Sequence, residues 1–250
     1  MKKIRQHSRL ATSLLPLALV VVIVSYGLAQ ERASRASGTL PRGFMYLSER
    51  APDIAVDLRY AGRDNFTGQQ VRGYERGRCV VSEAAGSALI AVQADLRRYG
   101  FGLKVFDAYR PQRAVNHFVQ WTKSGGDFPQ IKSRYYPDIA KADLLKEGYI
   151  AAKSGHSRGS SVDVTLVLLP GTGSATLTEP RELDMGSPFD FFGRKSHSES
   201  RDATPQQRMH RLLLRSIMEK HGFQHLPEEW WHFSLKDEPF PDTYFDFPIR

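Results

Sequence analysis

The 250-residue chain has a single cysteine, Cys79. One thiol excludes an intrachain disulfide and any zinc site built on several cysteines. A domain of this length must then rest on its apolar core, or on a metal held by other ligands. Cys79 precedes Val80 and Val81 in a stretch that reads as a strand, where a lone cysteine is a small buried hydrophobe rather than a nucleophile. Clustered positive charge is also missing from the body of the chain. Of the formal net charge of +8, Lys2, Lys3, Arg5 and Arg9 supply four, which leaves +4 for residues 30–250. The remaining Lys and Arg are scattered among acids, so the footprint of a nucleic-acid binder is absent. What is left is a mild preference for anionic surfaces such as cell wall or lipid headgroups. No repeat or low-complexity tract occurs, and the absence of HExxH excludes the helical zinc-protease site.

The chain does have an N-terminal targeting pattern. A basic start leads into an apolar stretch from Leu14 to Val24, with small residues at Gly27 and Ala29. These are the marks of a secretory signal cleaved after Ala29. The uncleaved anchor stays open as the alternative, because Leu10 to Ala29 approaches the roughly 20 apolar residues that span a bilayer. Either way the expected location is exported, in the periplasm or cell envelope. Residues 30–42 are small, polar and unpatterned, a linker, and one domain is expected over residues 43–250.

Within that domain, residues 53–60 alternate as a strand, followed by a turn at 65–68. Ser82 suits the N-cap of a helix reaching Tyr99, with Ala85, Leu89, Val92 and Leu96 on its apolar face. Residues 103–108 predict a strand, and Pro111 opens a helix carrying Val115, Phe118 and Val119 inward. Residues 125–155 read as a covering excursion with a helical patch at 139–146. A strand at 162–169, a loop to 181, another loop at 194–204 and a helix at 205–221 follow, the last with Met209, Leu212, Leu213 and Ile217 facing in. A strand at 229–235 and an aromatic tail that packs back complete the domain. Mixed strands and helices without regular βαβ alternation predict an α+β fold, a mainly antiparallel sheet with flanking helices.

Two of the eight histidines stand near carboxylates on expected strands. His156 and Asp163 are seven apart, an odd separation that sends them to opposite faces of a straight strand, so residues 158–161 must turn. Asp163 among Val and Leu is costly unless paired or ligated; capping of the turn is the plainer role. His232 lies between aromatic residues. Glu229, three residues earlier, reaches its side only if the strand bulges near Pro227. Two imidazoles and a carboxylate leave a fourth zinc position open for water, as catalytic sites do. Arg110 stands at a strand-to-helix junction, either aimed into a site or simply paired with Asp107.

The segment Ser154-Gly155-His156-Ser157-Arg158-Gly159-Ser160-Ser161-Val162-Asp163 resembles the SxHxxGxAxD signature of zinc D-alanyl-D-alanine peptidases that share the hedgehog/DD-peptidase fold, with Ser161 where Ala is preferred. Glu229-Trp230-Trp231-His232 matches its ExxH companion, and Phe106 to Pro111 and the C-terminal Tyr244 to Pro248 extend the likeness to VanX-type dipeptidases. The resemblance implies one zinc per chain on His156, Asp163 and His232, with Glu229 as general base and acid and Arg110 on the oxyanion. It also implies Asp190 as acceptor of the dipeptide's ammonium group, with Ser154 and Tyr60 touching the substrate's ends. The expected partner is a small D,D-dipeptide, with no nucleic acid; a wall-trimming D,D-carboxypeptidase and a zinc-stabilised wall-binding module without turnover stand as alternatives.

Overall fold

The centre of the fold is the segment with the densest β-branched content, Ser161-Val-Asp-Val-Thr-Leu-Val-Leu168. Its first seven residues are all buried, as expected of a strand covered on both faces. The computed structural model describes residues 39–126, 128–171 and 178–250. The expected signal segment, and the linker up to residue 38, lie outside them. No helix among the described residues is long and apolar enough to cross a membrane.

In chain order the elements are β1 (Phe44–Tyr46), α1 (Leu47–Arg50), β2 (Ala55–Val56), β3 (Val80–Ser82), α2 (Glu83–Arg97), β4 (Phe101–Asp107), α3 (Gln112–Lys123) and α4 (Pro129–Tyr135). There follow β5 (Ser161–Leu168), β6 (Arg181–Glu182), α5 (Pro205–Lys220), β7 (Phe223–Leu226) and β8 (Glu229–Leu235). The main sheet runs β2-β4-β5-β8-β7, with β6 joined to the far end of β5, and β1 pairs with β3 separately. Only the β2–β4 pair is parallel, so the sheet is mainly antiparallel and the fold is α+β. Helix α2 is built as its sequence requires. Ser82 Oγ accepts from the Ala85 amide at 3.2 Å, and Ala85, Leu89, Val92 and Leu96 are buried.

Several expectations need correction. The strand over 53–60 shrinks to Ala55–Val56, and the chain then turns through a 3-10 segment at Arg59–Ala61 that buries Tyr60. Pro111 caps α3 from outside rather than opening its first turn. The patch at 139–146 is only a 3-10 turn at Lys141–Asp143, whereas a helix forms earlier, at Pro129–Tyr135. Strand β7 is an element the sequence reading missed. Met209, Leu212 and Leu213 are exposed, while Arg211, Leu214 and Met218 face the core. Arg211 wins its place by donating to the carbonyls of Met185 and Lys195, which a periodicity count of apolar residues cannot anticipate.

The aromatic tail does pack back. Phe44 stacks on Phe240 and meets Phe245 and Phe247 edge-on, and Phe247 stacks on Tyr109 at 4.1 Å between centroids. This cluster presses on Gly159, which adopts φ +85 and where an added Cβ would lie 2.3 Å from the Phe44 ring. Gly159→Ala therefore combines a left-handed backbone with overpacking. It should destabilise the domain by about 2–4 kcal/mol, measured as the loss in chemical denaturation of the purified protein.

Candidate metal centre

The turn that brings His156 beside Asp163 is written in short-range chemistry. Ser154 Oγ accepts from the His156 amide, and a 3-10 turn over Gly155–Arg158 ends at left-handed Gly159. The chain then enters β5 reoriented, which cancels the odd separation of the two side chains. The turn is also tied to the β4–α3 junction: Arg110 N donates to His156 O, and Ser157 Oγ donates to Arg110 O at 2.8 Å. Asp163 is paired in register with His232 on β8 and with Asp107 on β4.

Strand β8 meets the demand placed on Glu229. Phe223, Gln224 and His225 of β7 face Leu235, Ser234 and Phe233 in normal steps, but Leu226 faces Glu229. Three residues, Trp230, Trp231 and His232, are thus accommodated against one step of β7. The bulge re-aims the strand, so Glu229 Oε2 lies 3.9 Å from His232 Nδ1. Trp230 and Trp231 are both buried, and Trp230 Nε1 donates to Ser187 Oγ.

His156 Nε2, His232 Nδ1 and Asp163 Oδ1 are separated by 3.1, 3.0 and 3.3 Å. The edge of a tetrahedron with metal bonds of about 2.0–2.1 Å is about 3.3–3.4 Å, so the three atoms fit three of its corners. Their protons point the right way. His156 Nδ1 lies 2.7 Å from Ala108 O, and since a carbonyl only accepts, Nδ1 carries the hydrogen and Nε2 a lone pair. His232 Nε2 lies 3.3 Å from Ser234 Oγ, itself 2.7 Å from Ser161 Oγ. With that nitrogen donating, Nδ1 also presents a lone pair. Three acceptors converging in a site where His156 and Asp163 are each 2% exposed call for a cation, and two imidazoles with one carboxylate suit zinc.

Protonation in the metal-free protein follows the same crowding. Burial opposes ionisation of Asp163, but the adjoining imidazoles outweigh it and hold the carboxyl well below the usual range. Burial also works against a charged His232, yet its contact with Asp163 raises it. Glu229 is pushed up to about 7, chiefly by burial and also by Asp163, against the pull of His232. Asp190 is raised well above the usual range by burial and by Asp163. Its backbone sits at φ +61, the sole non-glycine residue with positive φ among those described, and its Oδ2 accepts from Tyr60 OH at 2.8 Å. A strained, buried carboxylate of this kind is a functional-site signature.

Tyr60, Arg110, Ser154, Asp190, Glu229 and His232 all line one cavity of about 210 Å³. That is below the roughly 300 Å³ at which drug-sized ligand sites begin, so the space suits a small molecule. The structure thus gathers every site residue expected from sequence. Arg110 lines the cavity and is also paired with Asp107 at 2.8 Å. Cys79 is buried with its thiol pushed up by burial, the inert state expected of it. In sequence Asp107 stands out only as a partner for Arg110, and the Ser161–Ser234 pair behind His232 does not stand out at all. Asp107 could have been singled out by the same cost of a carboxylate in an apolar strand that marked Asp163; the Ser234 contact depends on the β8 bulge and has no local signal.

Comparison with known proteins shows the family. The sequence profile described as D-ala-D-ala dipeptidase, Peptidase_M15, matches residues 41–250. The D-alanyl-D-alanine dipeptidase of Streptomyces coelicolor is 44% identical over 206 residues, 82% of this chain and 98% of that protein. That of Enterococcus faecium is 41% identical over 208 residues, 83% of this chain and 98% of the relative. That of Escherichia coli is 33% identical over 184 residues, covering 74% and 80%.

Two measurements probe the site itself. Ser234→Ala removes the acceptor behind His232 and should lower zinc affinity about 10-fold, read by competition with a chromophoric chelator. The second concerns Glu229 in metal-free protein. A carboxyl whose folded pKa is raised from the ordinary 4.5 to about 7 keeps its proton longer folded than unfolded. Stability from it is present at low pH and lost as pH climbs through that window. Glu229→Gln has no proton to lose, so it should gain about 2–3 kcal/mol over the parent between pH 4.5 and 7.5, measured by denaturant titration at each pH.

Proposed function

Because the chain belongs to the D-Ala-D-Ala dipeptidase family of M15 peptidases, we propose that it hydrolyses free D-alanyl-D-alanine to two D-alanines with one zinc ion per chain. The observation that carries the reading is the placement of a partly buried carboxylate, Glu229, at 3.9 Å from a donor atom of a three-residue cluster able to hold a metal. A binding module needs the cluster but not that neighbour.

His156, Asp163 and His232 would hold the zinc, which when bound would supply Lewis acidity toward the peptide carbonyl and lower the proton affinity of water. The rest is done by the chain's own groups. Glu229, with a proton affinity poised near neutral pH by burial, takes the proton of the attacking water and returns it to the leaving nitrogen. Arg110 donates to the carbonyl oxygen as it gains charge. Asp190 receives the dipeptide's ammonium group through the carboxylate oxygen that Tyr60 leaves free, and the incoming cation offsets the burial that disfavours ionised Asp190. Ser154, which caps the His156 turn, and Tyr60 contact the substrate's ends. Pairing with a free amine selects against acylated peptides, which lack that charge.

The basic, apolar and small-residue order of residues 1–29 supports placing this activity in the cell envelope, near the wall or membrane. D-alanyl-D-alanine released there is its substrate on this reading.

Purified protein should release two D-alanines from the free dipeptide, lose the activity to a chelator and regain it with zinc. An N-acylated D-Ala-D-Ala should be turned over far more slowly; preference for the acylated form would instead identify a D,D-carboxypeptidase. Glu229→Ala should keep about one zinc per chain while kcat falls by about 100- to 10,000-fold. Undiminished turnover in that variant contradicts the role given to Glu229.

A further inference from the structure

The guanidinium of Arg110 is not held by the cavity it serves. Its Nε and Nη2 both reach Asp107 Oδ2, at 2.9 and 2.8 Å. The other oxygen, Asp107 Oδ1, accepts from Tyr74 OH at 2.6 Å. Asp107 is completely buried and Tyr74 is 1% exposed. The arginine's carbon lies 5.1 Å from the Tyr60 ring centre and 5.2 Å from that of Phe118, so aromatic faces confine it as well. Among the described residues Nη1 finds no hydrogen-bond partner, and it is the remaining donor group of a side chain that lines the cavity.

Strand β4 is bent to make this possible. Val105 pairs with Val164, but Asp107, two residues on, pairs with Asp163 only one residue back. The extra residue brings Asp107 into register with a ligand of the metal cluster, and Arg110 Nη2 lies 3.6 Å from Asp163 Oδ2. Tyr74 is fixed from the other side. It forms a bridge with Ile249, whose amide donates to Gly73 O at 2.8 Å, so the C-terminal tail anchors the tyrosine. Asp107 has a third neighbour, His156 Nδ1 at 3.6 Å, but that nitrogen already donates to Ala108 O at 2.7 Å.

We infer that Asp107 and Tyr74 are positioning residues for the hydrolysis, a relay from the C-terminal tail that holds Arg110 with its free edge turned to the reacting carbonyl. The inference rests on the dipeptidase reading given above. An arginine has several rotatable bonds, and a donor that wanders does not stabilise a developing oxyanion. A carboxylate gripping Nε and Nη2 removes that freedom, and a tyrosine gripping the carboxylate's other oxygen prevents it from rotating away. The relay works on the arginine; it touches neither substrate nor metal.

The test is a double-mutant cycle in the zinc-loaded full chain with D-alanyl-D-alanine as substrate. Asp107→Asn preserves volume and avoids leaving the arginine against an empty site. It should lower kcat about 100-fold, with KM and zinc affinity within about threefold of the parent. Tyr74→Phe should lower kcat about 10-fold. Added to Arg110→Ala, neither change should cost more than a further factor of about three, because what they position is gone. Losses that multiply in the double variants, or a fall in zinc affinity that accounts for the lost rate, overturn the inference. A second readout needs no turnover. In metal-free protein the Arg110 Nε–H proton should exchange slowly by NMR, and exchange should quicken at least 10-fold in Asp107→Asn. Unchanged protection in that variant also overturns the inference. If the parent fails to hydrolyse the dipeptide, the functional reading falls while the exchange measurement still decides what holds Arg110.

Discussion

Three lone pairs aimed at one point, 3.0–3.3 Å apart and largely shut off from water, are the constraint around which this domain is organised. Such an arrangement is unfavourable until a cation occupies the centre. The chain invests in it heavily. Asp163 sits in the most buried strand, His232 is opposite it in register, and His156 is delivered by a turn that only a left-handed residue closes. The Phe44 cluster and the C-terminal tail press on that turn from outside, so residues far from the candidate metal ligands in sequence fix their spacing.

Charge around the cluster follows from the same constraint. Four carboxyl groups, Asp107, Asp163, Asp190 and Glu229, are buried or nearly so, with Arg110 as the guanidinium among them. Without a metal three of these acids, Asp107, Asp190 and Glu229, are shifted toward their neutral forms by burial and by Asp163. The deficit of positive charge matches the proposed chemistry, which brings a divalent ion to one side of the cavity and a substrate ammonium to the other. Asp190, the single left-handed non-glycine residue among those described, lines the cavity, and its strain is the local cost of aiming a carboxylate there.

Much of this was legible in sequence, for identifiable reasons. Helix α2 and strand β5 could be read because cap, periodicity and β-branching agree along each of them. The ligands could be read because an acid in an apolar strand and a histidine among aromatics are expensive to place without a partner. The β8 bulge was foreseen as a requirement, since Glu229 and His232 are an odd number apart, though its three-residue size was not. The failures share a cause. Strand 53–60 dissolved because Tyr60 turns inward to meet Asp190, and the face of α5 was misjudged because Arg211 satisfies backbone carbonyls in the core. Both are decisions made by distant residues, and local pattern carries no trace of them.

X-ray absorption at the zinc edge tests the central claim most directly. Protein reconstituted with one equivalent of zinc should show a first shell of nitrogen and oxygen at about 2.0–2.2 Å with two imidazole signatures, and His232→Ala should remove one of them. Failure to retain stoichiometric zinc, or a spectrum with two imidazoles that His232→Ala leaves unchanged, would contradict the account.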